Sequence, residues 1–285
     1  TQSYWEAIVS NRDTANSLLS DGTTGQNLFE KMATLNINYR INEERYHRCS
    51  RCWYCSTRCV CDSMPDRIDR DELLAANVKI LLLMHHKEYL NAGNSAKSLI
   101  ALLPTEYLTL YVYGREGDFD RCIDEMMIDR GRHTAILWPG ESAISVEEFV
   151  STKSANMDKK KQDIEEGDDK EEETTNNAII RIVALDGTYK NAKNMYKTIR
   201  QRLREKDTPP CIALHPKSVS KFHRAQKNYG TAIQDNSKAN NKLDETALRV
   251  STAEACALLL TELGAAESVQ DKIIKALLVN NCNRN

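Results

Sequence analysis

The sequence predicts an α/β fold in which helices flank a largely parallel β-sheet. From residue 78 onward, short apolar runs alternate with helical stretches, which is the pattern of strands joined by helical crossovers. The 285 residues are 41% hydrophobic and 28% charged, an ordinary composition for a globular protein with a substantial core. The apolar runs are too short for a transmembrane helix, so a membrane partner is not expected.

The elements are predicted in order along the chain. Residues 1–45 form a leader with one or two helices. Five apolar runs predict buried strands at Val78–Met84, Leu108–Tyr113, Thr134–Trp138, Ile179–Leu185 and Cys211–Leu214. Four further stretches predict helices at Ser95–Leu103, Lys190–Leu203, Ala255–Leu263 and Ser268–Val279. Ser251 and Glu254 form a capping-box pattern directly before the third of these helices.

Two polar segments interrupt this pattern. Residues 151–178 hold five basic and nine acidic side chains and very few apolar ones, so this insertion is expected to be a disordered or flexible loop. Residues 229–245 are rich in Asn, Asp and Lys and predict a second mobile loop. The expected organisation is therefore a leader (1–45), a cysteine-rich knuckle (46–66) and an α/β domain (67–285).

The cysteine-rich knuckle contains five of the nine cysteines of the chain. Close pairs of thiolates can converge on one tetrahedral ion with little loss of loop entropy, so the spacing favours a structural zinc site formed by Cys49, Cys52, Cys59 and Cys61. A redox pair or unrelated thiols is the alternative. Which four cysteines bind stays open, because Cys55 lies inside the same segment. Three neighbouring arginines could also contact phosphates, namely Arg48, Arg51 and Arg58.

Three segments are predicted to end at the edge of the sheet where ligands bind in α/β folds. His85 follows the first strand. Either Asn94 or Ser95 can cap the next helix and leave backbone N–H groups for a carboxylate or phosphate. Pro139 and Gly140 end the third strand. Each feature also has a plainer explanation, namely a histidine bonded to backbone, a helix cap and an ordinary turn.

Asp186 follows the fourth predicted strand, and it is the only carboxylate between Arg181 and Arg204. The side chain either points into the crevice at the strand ends or, like Thr188, caps the following helix. Spacing alone does not decide between these two roles.

The region from Arg181 to Lys227 carries 12 basic residues against three acidic ones, which favours a surface that faces a polyanion. A solvated basic face is the alternative. Five cations fall on one stripe of the predicted helix, at Lys190, Lys193, Lys197, Arg200 and Arg204. Further cations, among them Lys221 and Arg224, alternate with aromatic residues. This combination fits RNA phosphates and unstacked bases better than duplex DNA.

Together these motifs resemble the DTW-domain family of tRNA-uridine aminocarboxypropyltransferases. The family is named for an Asp-x-Thr-Trp motif, which here reads Asp186-Gly187-Thr188-Tyr189, with Ala192 and Met195 further on. The other matching motifs, in the family's order, are the cysteine knuckle, His85-x2-Glu88, Asn94-Ser95-Ala96, Pro139-Gly140 and Ser251-Thr252-x-Glu254-Ala255. Two departures are Tyr189 in place of Trp and Ser95-Ala96 in place of Thr-Gly.

The resemblance implies a SPOUT-like fold with a C-terminal knot, and S-adenosylmethionine as donor. It also implies transfer of the 3-amino-3-carboxypropyl group to N3 of a tRNA uridine, with release of methylthioadenosine. The loops at the strand ends are expected to form the donor pocket, with donor-binding residues His85, Asn94, Ser95, Pro139, Gly140, Glu141, Thr188, Tyr189, Ser251 and Glu254.

Asp186 is the candidate base, because the weakly acidic N3 of uridine must lose its proton before attack. Two other functions fit the residues. One is a non-catalytic zinc-knuckle protein that binds RNA, and the other is an RNA methyltransferase that uses the same donor. Ribosomal RNA is an alternative substrate. A cytoplasmic or nuclear location is expected, because the N-terminal segment lacks an apolar signal core.

Overall fold

The computed structural model describes residues 13, 17, 25–140, 142–152, 179–215 and 250–282. Several features of the sequence lie outside these residues, namely the acidic insertion from residue 153, the loop 229–245, Glu141, Lys221 and Arg224. The described residues form an α/β fold with a parallel sheet and flanking helices, so the predicted fold class is confirmed.

The strands of the described residues are Val78–His85 (β1), Leu108–Tyr113 (β2), Thr134–Leu137 (β3), Ile144–Ser145 (β4), Ile180–Asp186 (β5) and Cys211–Ala213 (β6). They form one sheet in the order β2-β1-β5-β3-β6-β4, and every neighbouring pair is parallel. All five predicted strands are confirmed to within one residue at each end. Strand β4 was not predicted, because a two-residue strand leaves no periodic pattern.

Strand β1 shows why the strands read as unbroken apolar runs. Ile80, Leu82 and Met84 pack into the core on one face of the sheet, and Leu81 and Leu83 pack into the core on the other face. Successive side chains of a strand point to opposite faces, so a strand covered on both sides is apolar at nearly every position.

The helices of the described residues include Gly25–His47 (α1), Lys97–Leu102 (α2), Asp118–Met126 (α3), Tyr189–Leu203 (α4), Thr252–Glu262 (α5) and Glu267–Cys282 (α6). Residues 146–152 are also helical. Helices α2, α5 and α6 cover one face of the sheet, while α3 and α4 cover the other. Helix α3 was not predicted, because charged residues separate the members of its short apolar stripe. None of the described helices combines the length and the apolar character needed to cross a bilayer.

Candidate functional site

Parallel pairing brings the carboxyl ends of the strands together at one side of the sheet, here called the carboxyl edge. His85 pairs in register with Tyr113 at the ends of β1 and β2, and Met84 pairs with Asp186 at the ends of β1 and β5. A ligand at this edge would therefore meet side chains from segments that are far apart in the sequence.

The central polar contact of the carboxyl edge joins Asp186 to Asn94. Asn94 Nδ2 donates a hydrogen bond to Asp186 Oδ2 at 2.6 Å, and the two residues are 5% and 3% exposed, respectively. Asn94 Oδ1 accepts from the backbone N–H of Lys97 at 3.1 Å, so the oxygen of this amide faces helix α2 and its N–H faces Asp186. Glu88 Oε2 lies 3.5 Å from the same Asn94 nitrogen. Asp186 is thus a buried carboxylate that a neighbouring loop holds in place.

The expectation of free backbone N–H groups at the start of helix α2 is wrong for its first two amides. The helix begins at Lys97, two residues later than predicted, and the Lys97 N–H is bonded to Asn94 Oδ1. The N–H of Ser98 donates to the carbonyl of Ser95 at 3.1 Å. Asn94 closes this turn with its side chain, whereas Ser95 contributes a backbone carbonyl. These amides are used inside the protein and do not serve a ligand.

His85 approaches the start of helix α4 because Gly187 has no side chain. A Cβ at Gly187 would lie 3.4 Å from the Cβ of His85 and 3.2 Å from that of Asn191, which is a tight fit. His85 Nδ1 accepts from the backbone N–H of Lys87 at 3.2 Å, so the neutral ring carries its proton on Nε2. Burial, and then the charge of Lys87, lower the pKa of His85 to about 4. His85 is therefore a neutral N–H donor at pH 7.

His86 is held by helix α1, a contact that sequence reasoning missed. Asn36 Nδ2 donates to His86 Nδ1 at 3.0 Å, and Arg40 Nε donates to Asn36 Oδ1 at 3.3 Å. Burial, and then the charges of His85, Lys87 and Arg40, lower the pKa of His86 to about 4. The ring centroids of the two histidines lie 4.5 Å apart, so α1 supports the carboxyl edge from the side of β1.

Thr188 and Ser251, both expected to bind the donor, are N-cap residues. Thr188 Oγ1 accepts from the N–H of Asn191 at 3.3 Å at the start of α4. Ser251 Oγ accepts from the N–H of Glu254 at 3.2 Å at the start of α5. The capping explanation for Thr188 and Ser251 is confirmed, and helix N-termini favour anions.

Helix α5 passes close to Asp186. Burial, and then the negative charge of Asp186, raise the pKa of the Cys256 thiol to about 12. Cys256 lies on α5, one turn beyond the first, so the carboxylate is within electrostatic reach of this helix. Ser251 and Glu254, in the cap and first turn of α5, are both almost fully buried. The start of α5 therefore belongs to the buried surroundings of Asp186, which also include the ends of β1 and β5 and the Asn94 loop and are here called the Asp186 crevice.

Pro139 and Gly140 form an exposed turn after β3. The N–H of Ala143 donates to the carbonyl of Gly140 at 3.0 Å, which closes the turn before β4. An ordinary turn, the plainer explanation of this motif, therefore accounts for its structure. Glu141, in the middle of the turn, lies outside the described residues.

Tyr189 lies in an aromatic stack with Trp138, the residue that follows β3. The Trp138 and Tyr189 ring centroids are 5.8 Å apart with an interplanar angle of 15°. Tyr196, two turns further along α4, stacks on Trp138 at 5.3 Å and 16°. The tyrosine that departs from the family motif thus keeps a flat aromatic surface at the carboxyl edge.

A cleft of about 480 Å³ opens at the end of β2, beside His85 rather than over Asp186. It is lined by residues of α1, α3, α4 and the loop after β2, including Tyr113, Arg115, Phe119 and Arg202. None of the residues expected to bind the donor lines this cleft. The cleft therefore does not coincide with the predicted donor pocket.

The five cations predicted on α4, here called the cationic stripe, are Lys190, Lys193, Lys197, Arg200 and Arg204. All are exposed except Arg200, which is partly buried, pairs with Glu205 and lies 5.8 Å from the Tyr196 ring centroid. The opposite side of α4 packs on the sheet through Ala192, Met195 and Ile199. The amphipathic helix is therefore confirmed, but it ends at Leu203, so the prediction that Arg204 lies on it is wrong: Arg204 follows the helix with a positive φ. Lys221 and Arg224 lie outside the described residues.

Four thiols form a compact cysteine cluster. In the part of the chain that the structure describes, the Sγ atoms of Cys49, Cys52, Cys59 and Cys61 all lie within 4.8 Å of one another. Two of these sulfur pairs are separated by 3.4 and 3.8 Å, close to the roughly 3.8 Å expected between ligands of a tetrahedral zinc ion. Cys55 is exposed and outside this group, so the geometry selects the four cysteines that were predicted.

The pKa values of the cluster thiols are also consistent with a site for a cation. Burial opposes ionisation of Cys49, yet hydrogen bonds from the backbone of Cys52 and Arg51 and from neighbouring thiols lower its pKa to about 7. Burial, and then the adjacent sulfurs, raise the pKa of Cys61. Four neighbouring thiolates repel one another, so all four ionise together only around a metal ion. The cluster could bind zinc, and four thiolate ligands would leave it no open catalytic position.

Lys97 links the cysteine cluster to the carboxyl edge, and sequence reasoning missed it. Its side chain is fully buried, at 0% exposure, and Nζ donates to the carbonyls of Cys52 and Ala92 at 2.6 Å each. The ammonium group also lies 4.0 Å from the Tyr54 ring centroid. Because Lys97 N–H is bonded to Asn94, one residue contacts both the cysteine-rich knuckle and the loop that holds Asp186.

The DTW domain model matches residues 46–281, which is most of the chain. No curated protein and no solved structure gives a significant match. The match covers the cysteine cluster, the parallel sheet and both helices that follow residue 250. The chain therefore belongs to the DTW-domain family.

Proposed function

We propose that the protein is a tRNA-uridine aminocarboxypropyltransferase that uses S-adenosylmethionine as donor. Membership of the DTW-domain family is consistent with a role in tRNA modification. The observation that carries the proposal is the buried Asp186–Asn94 pair, which lies directly before the helix that bears the cationic stripe. A fixed carboxylate beside an exposed polycationic surface suits proton removal from a group on RNA.

The reaction balances with Asp186 as the base. S-adenosylmethionine supplies an electrophilic side-chain carbon, because its sulfonium is a good leaving group. The N3–C bond forms, the C–S bond breaks, and its electron pair leaves with methylthioadenosine. Asp186 accepts the N3 proton, and Asn94 keeps the carboxylate in one orientation through its 2.6 Å hydrogen bond. The contribution of the chain is thus positioning and proton transfer.

We assign the donor to the carboxyl edge around Asp186. His85 offers a neutral ring with its proton on Nε2, so it can donate a hydrogen bond to an acceptor atom of S-adenosylmethionine. Thr188 and Ser251 cap helices α4 and α5, and the N-terminal ends of these helices favour the donor carboxylate. Asn94, Ser95 and the turn at Pro139, Gly140 and Glu141 complete the assignment from the surrounding loops, and Glu254 completes it from the first turn of α5.

The cationic stripe is the proposed contact with the tRNA backbone. Three exposed members, Lys190, Lys193 and Lys197, lie on the solvent side of α4, and the packed side of the same helix fixes their spacing. Arg204 is exposed directly after the helix. Phosphate contacts of this kind orient an RNA without reading its sequence. The identity of the target uridine would then depend on other contacts.

The cysteine cluster has a structural role in this proposal. Cys52 and Tyr54 are buried in the same core as β1 and α5. A zinc ion bound there would therefore stabilise the part of the fold that supports the Asn94 loop. Zinc would contribute no step to the transfer itself.

Mass spectrometry of tRNA nucleosides tests the proposal. The purified chain is incubated with S-adenosylmethionine and an unmodified tRNA transcript, and the digested RNA is compared with a reaction that lacks the donor. We expect a uridine heavier by one aminocarboxypropyl group, together with methylthioadenosine. A uridine heavier by one methyl group would instead identify a methyltransferase. RNA binding without any product would identify a non-catalytic RNA-binding protein, and modification of an rRNA fragment alone would change the substrate.

A further inference from the structure

Helix α4 carries an aromatic column whose end ring, Tyr189, is more than half exposed. Tyr189 and Tyr196 are seven residues apart, which corresponds to about 10.5 Å along an α-helix and nearly the same helical face. Each stacks on Trp138, with centroid distances of 5.8 and 5.3 Å that together span this rise. Trp138 therefore lies between the two tyrosines, and Tyr189 is the outer ring at the N-terminal end of the helix.

The inner end of the column is anchored. Tyr196 Oη lies 3.1 Å from Cys211 Sγ on β6, and the Arg200 guanidinium lies 5.8 Å from the Tyr196 ring centroid. Trp138 and Tyr196 are partly buried, whereas Tyr189 is 54% exposed. The outer ring is thus presented to solvent on a rigid support, at the carboxyl edge and three residues after Asp186.

We propose that Tyr189 is a stacking platform for one unpaired nucleobase of the bound RNA. A base is flat and matches the exposed face of a stacked ring, and such stacking is the usual way in which proteins hold unpaired bases. Lys190 and Lys193, both exposed on the following turn, can contact the phosphates on either side of that base. This inference rests on the proposed function only in that the ligand is RNA.

The charge around Tyr189 favours RNA over the donor as the stacked ligand. Near Tyr189, the exposed side chains on the first turn of α4 that carry charge are Lys190 and Lys193. S-adenosylmethionine has a net positive charge, so its adenine would bring a cation towards two lysines. An RNA base brings phosphates instead, and its binding relieves the repulsion between the two lysines.

Equilibrium binding of an unmodified tRNA transcript, measured without donor at several salt concentrations, tests the platform. We expect Tyr189→Ala to weaken tRNA affinity about 10-fold with the salt dependence unchanged, because the lost contact is uncharged. Tyr189→Trp and Tyr189→Phe keep a flat ring and are expected to stay within about threefold of the wild type. Lys193→Ala is expected to reduce the salt slope by about one. Leu278→Ala, at a residue that is 50% exposed on α6, is the control and should leave affinity unchanged.

Two results would overturn the platform. One is an unchanged tRNA affinity in Tyr189→Ala, and the other is a loss of S-adenosylmethionine affinity, measured by calorimetry, that equals or exceeds the loss of tRNA affinity. The second result would make Tyr189 a support for the donor adenine. These outcomes are distinct from failure of the proposed function. If the wild type binds tRNA through Tyr189 but transfers nothing, the platform stands and the proposed function fails. If the enzyme is active but its tRNA affinity does not depend on Tyr189, the platform alone is refuted.

Discussion

The cysteine cluster and the Asp186 crevice are two polar centres on the same core, but they are built differently. The four ligands of the cluster lie within one short segment, Cys49–Cys61, and their spacing already indicates a metal site. The crevice is assembled from the ends of β1 and β5, the Asn94 loop and helix α5. The cluster therefore depends on its own loop, whereas the crevice depends on every element that positions it.

The two centres are nevertheless connected. Lys97 Nζ bonds the carbonyl of Cys52 in the cluster, and Lys97 N–H bonds the side chain of Asn94 at the crevice. On the other side of α2, Asn280 Nδ2 donates to Ser98 Oγ at 2.8 Å, and the Asn280 carbonyl accepts from Tyr54 Oη at 2.6 Å. Disturbance of the cluster should therefore reach the crevice through α2.

The largest effect is expected from loss of a cluster ligand. Cys52→Ser should abolish stoichiometric zinc and lower the Tm by about 10 °C or more, because structural zinc contributes many kcal/mol to folding. Metal analysis and calorimetry measure both quantities. Cys55→Ser is the matched control, since Cys55 lies in the same segment but outside the cluster. Equal zinc content and Tm in the two variants would show that the cluster does not bind a structural zinc ion.

Replacement of Lys97 should show whether the cluster and the crevice are coupled. Lys97→Met keeps the apolar length but leaves two buried carbonyls without their donor, so we expect about 3 kcal/mol lower stability in urea unfolding. Zinc should remain bound, while S-adenosylmethionine affinity should fall with the disturbed Asn94 loop. Lys79→Met is the control, because Lys79 is partly exposed in its ion pair with Glu125 and should cost about 1 kcal/mol or less. A donor affinity unchanged in Lys97→Met would show that the centres are independent.

Lowering the pH should destabilise the folded protein through its two buried histidines, His85 and His86. The pKa values of His85 and His86 are about 4 in the folded chain, against about 6.5 when unfolded. Between these values the unfolded chain binds more protons, so the free energy of unfolding is highest above pH 6.5 and falls as the pH is lowered towards 4. The expected loss is about 3 kcal/mol per histidine, measured by unfolding at several pH values.

Two variants assign this pH dependence. His86→Gln should flatten the slope between pH 6.5 and 4, because one of the two buried rings can no longer titrate. His215→Gln, at an exposed position after β6, should leave the slope as it is. If His86→Gln keeps the wild-type slope, the two buried rings do not control acid stability.

The smallest effect distinguishes a cap from a ligand-binding residue. Thr188→Ala removes the N-cap bond to Asn191 and should lower stability by about 1 kcal/mol. Ser145→Ala is the matched control, because Ser145 Oγ accepts from the N–H of Glu148 at 3.0 Å before the helical residues 146–152. Calorimetry with S-adenosylmethionine should show weaker binding for Thr188→Ala alone. Equal donor affinity in both variants would leave Thr188 with capping only.

The sequence predicts those parts of the fold that depend on local pattern. Strand β1 is recognisable because both faces of the sheet are covered, and the cluster is recognisable because its ligands are close in sequence. The amphipathic pattern of α4 gives both its packed face and its cationic stripe. These features need no knowledge of which segments become neighbours.

The crevice contains the contacts that the sequence could not predict. Asn94 is a recognisable cap, but its second hydrogen bond to Asp186 exists only because β1 and β5 are adjacent in the sheet. The same holds for Trp138 between two tyrosines of α4, and for Asn36 against His86. Buried Lys97 leaves one signal in the sequence, a lone cation in an otherwise uncharged helix.

The transfer rate of Asp186→Asn in a single turnover, with tRNA and S-adenosylmethionine saturating, shows whether Asp186 is the base of the proposed transfer. Asparagine keeps the size of the side chain and an oxygen for the hydrogen bond from Asn94, so folding and tRNA affinity should be retained. As a base is lost, we expect the rate to fall about 100- to 10,000-fold, while Asp207→Asn at an exposed position stays at the wild-type rate. A folded Asp186→Asn protein that transfers the aminocarboxypropyl group at a near-normal rate would contradict the assignment of Asp186 as the base.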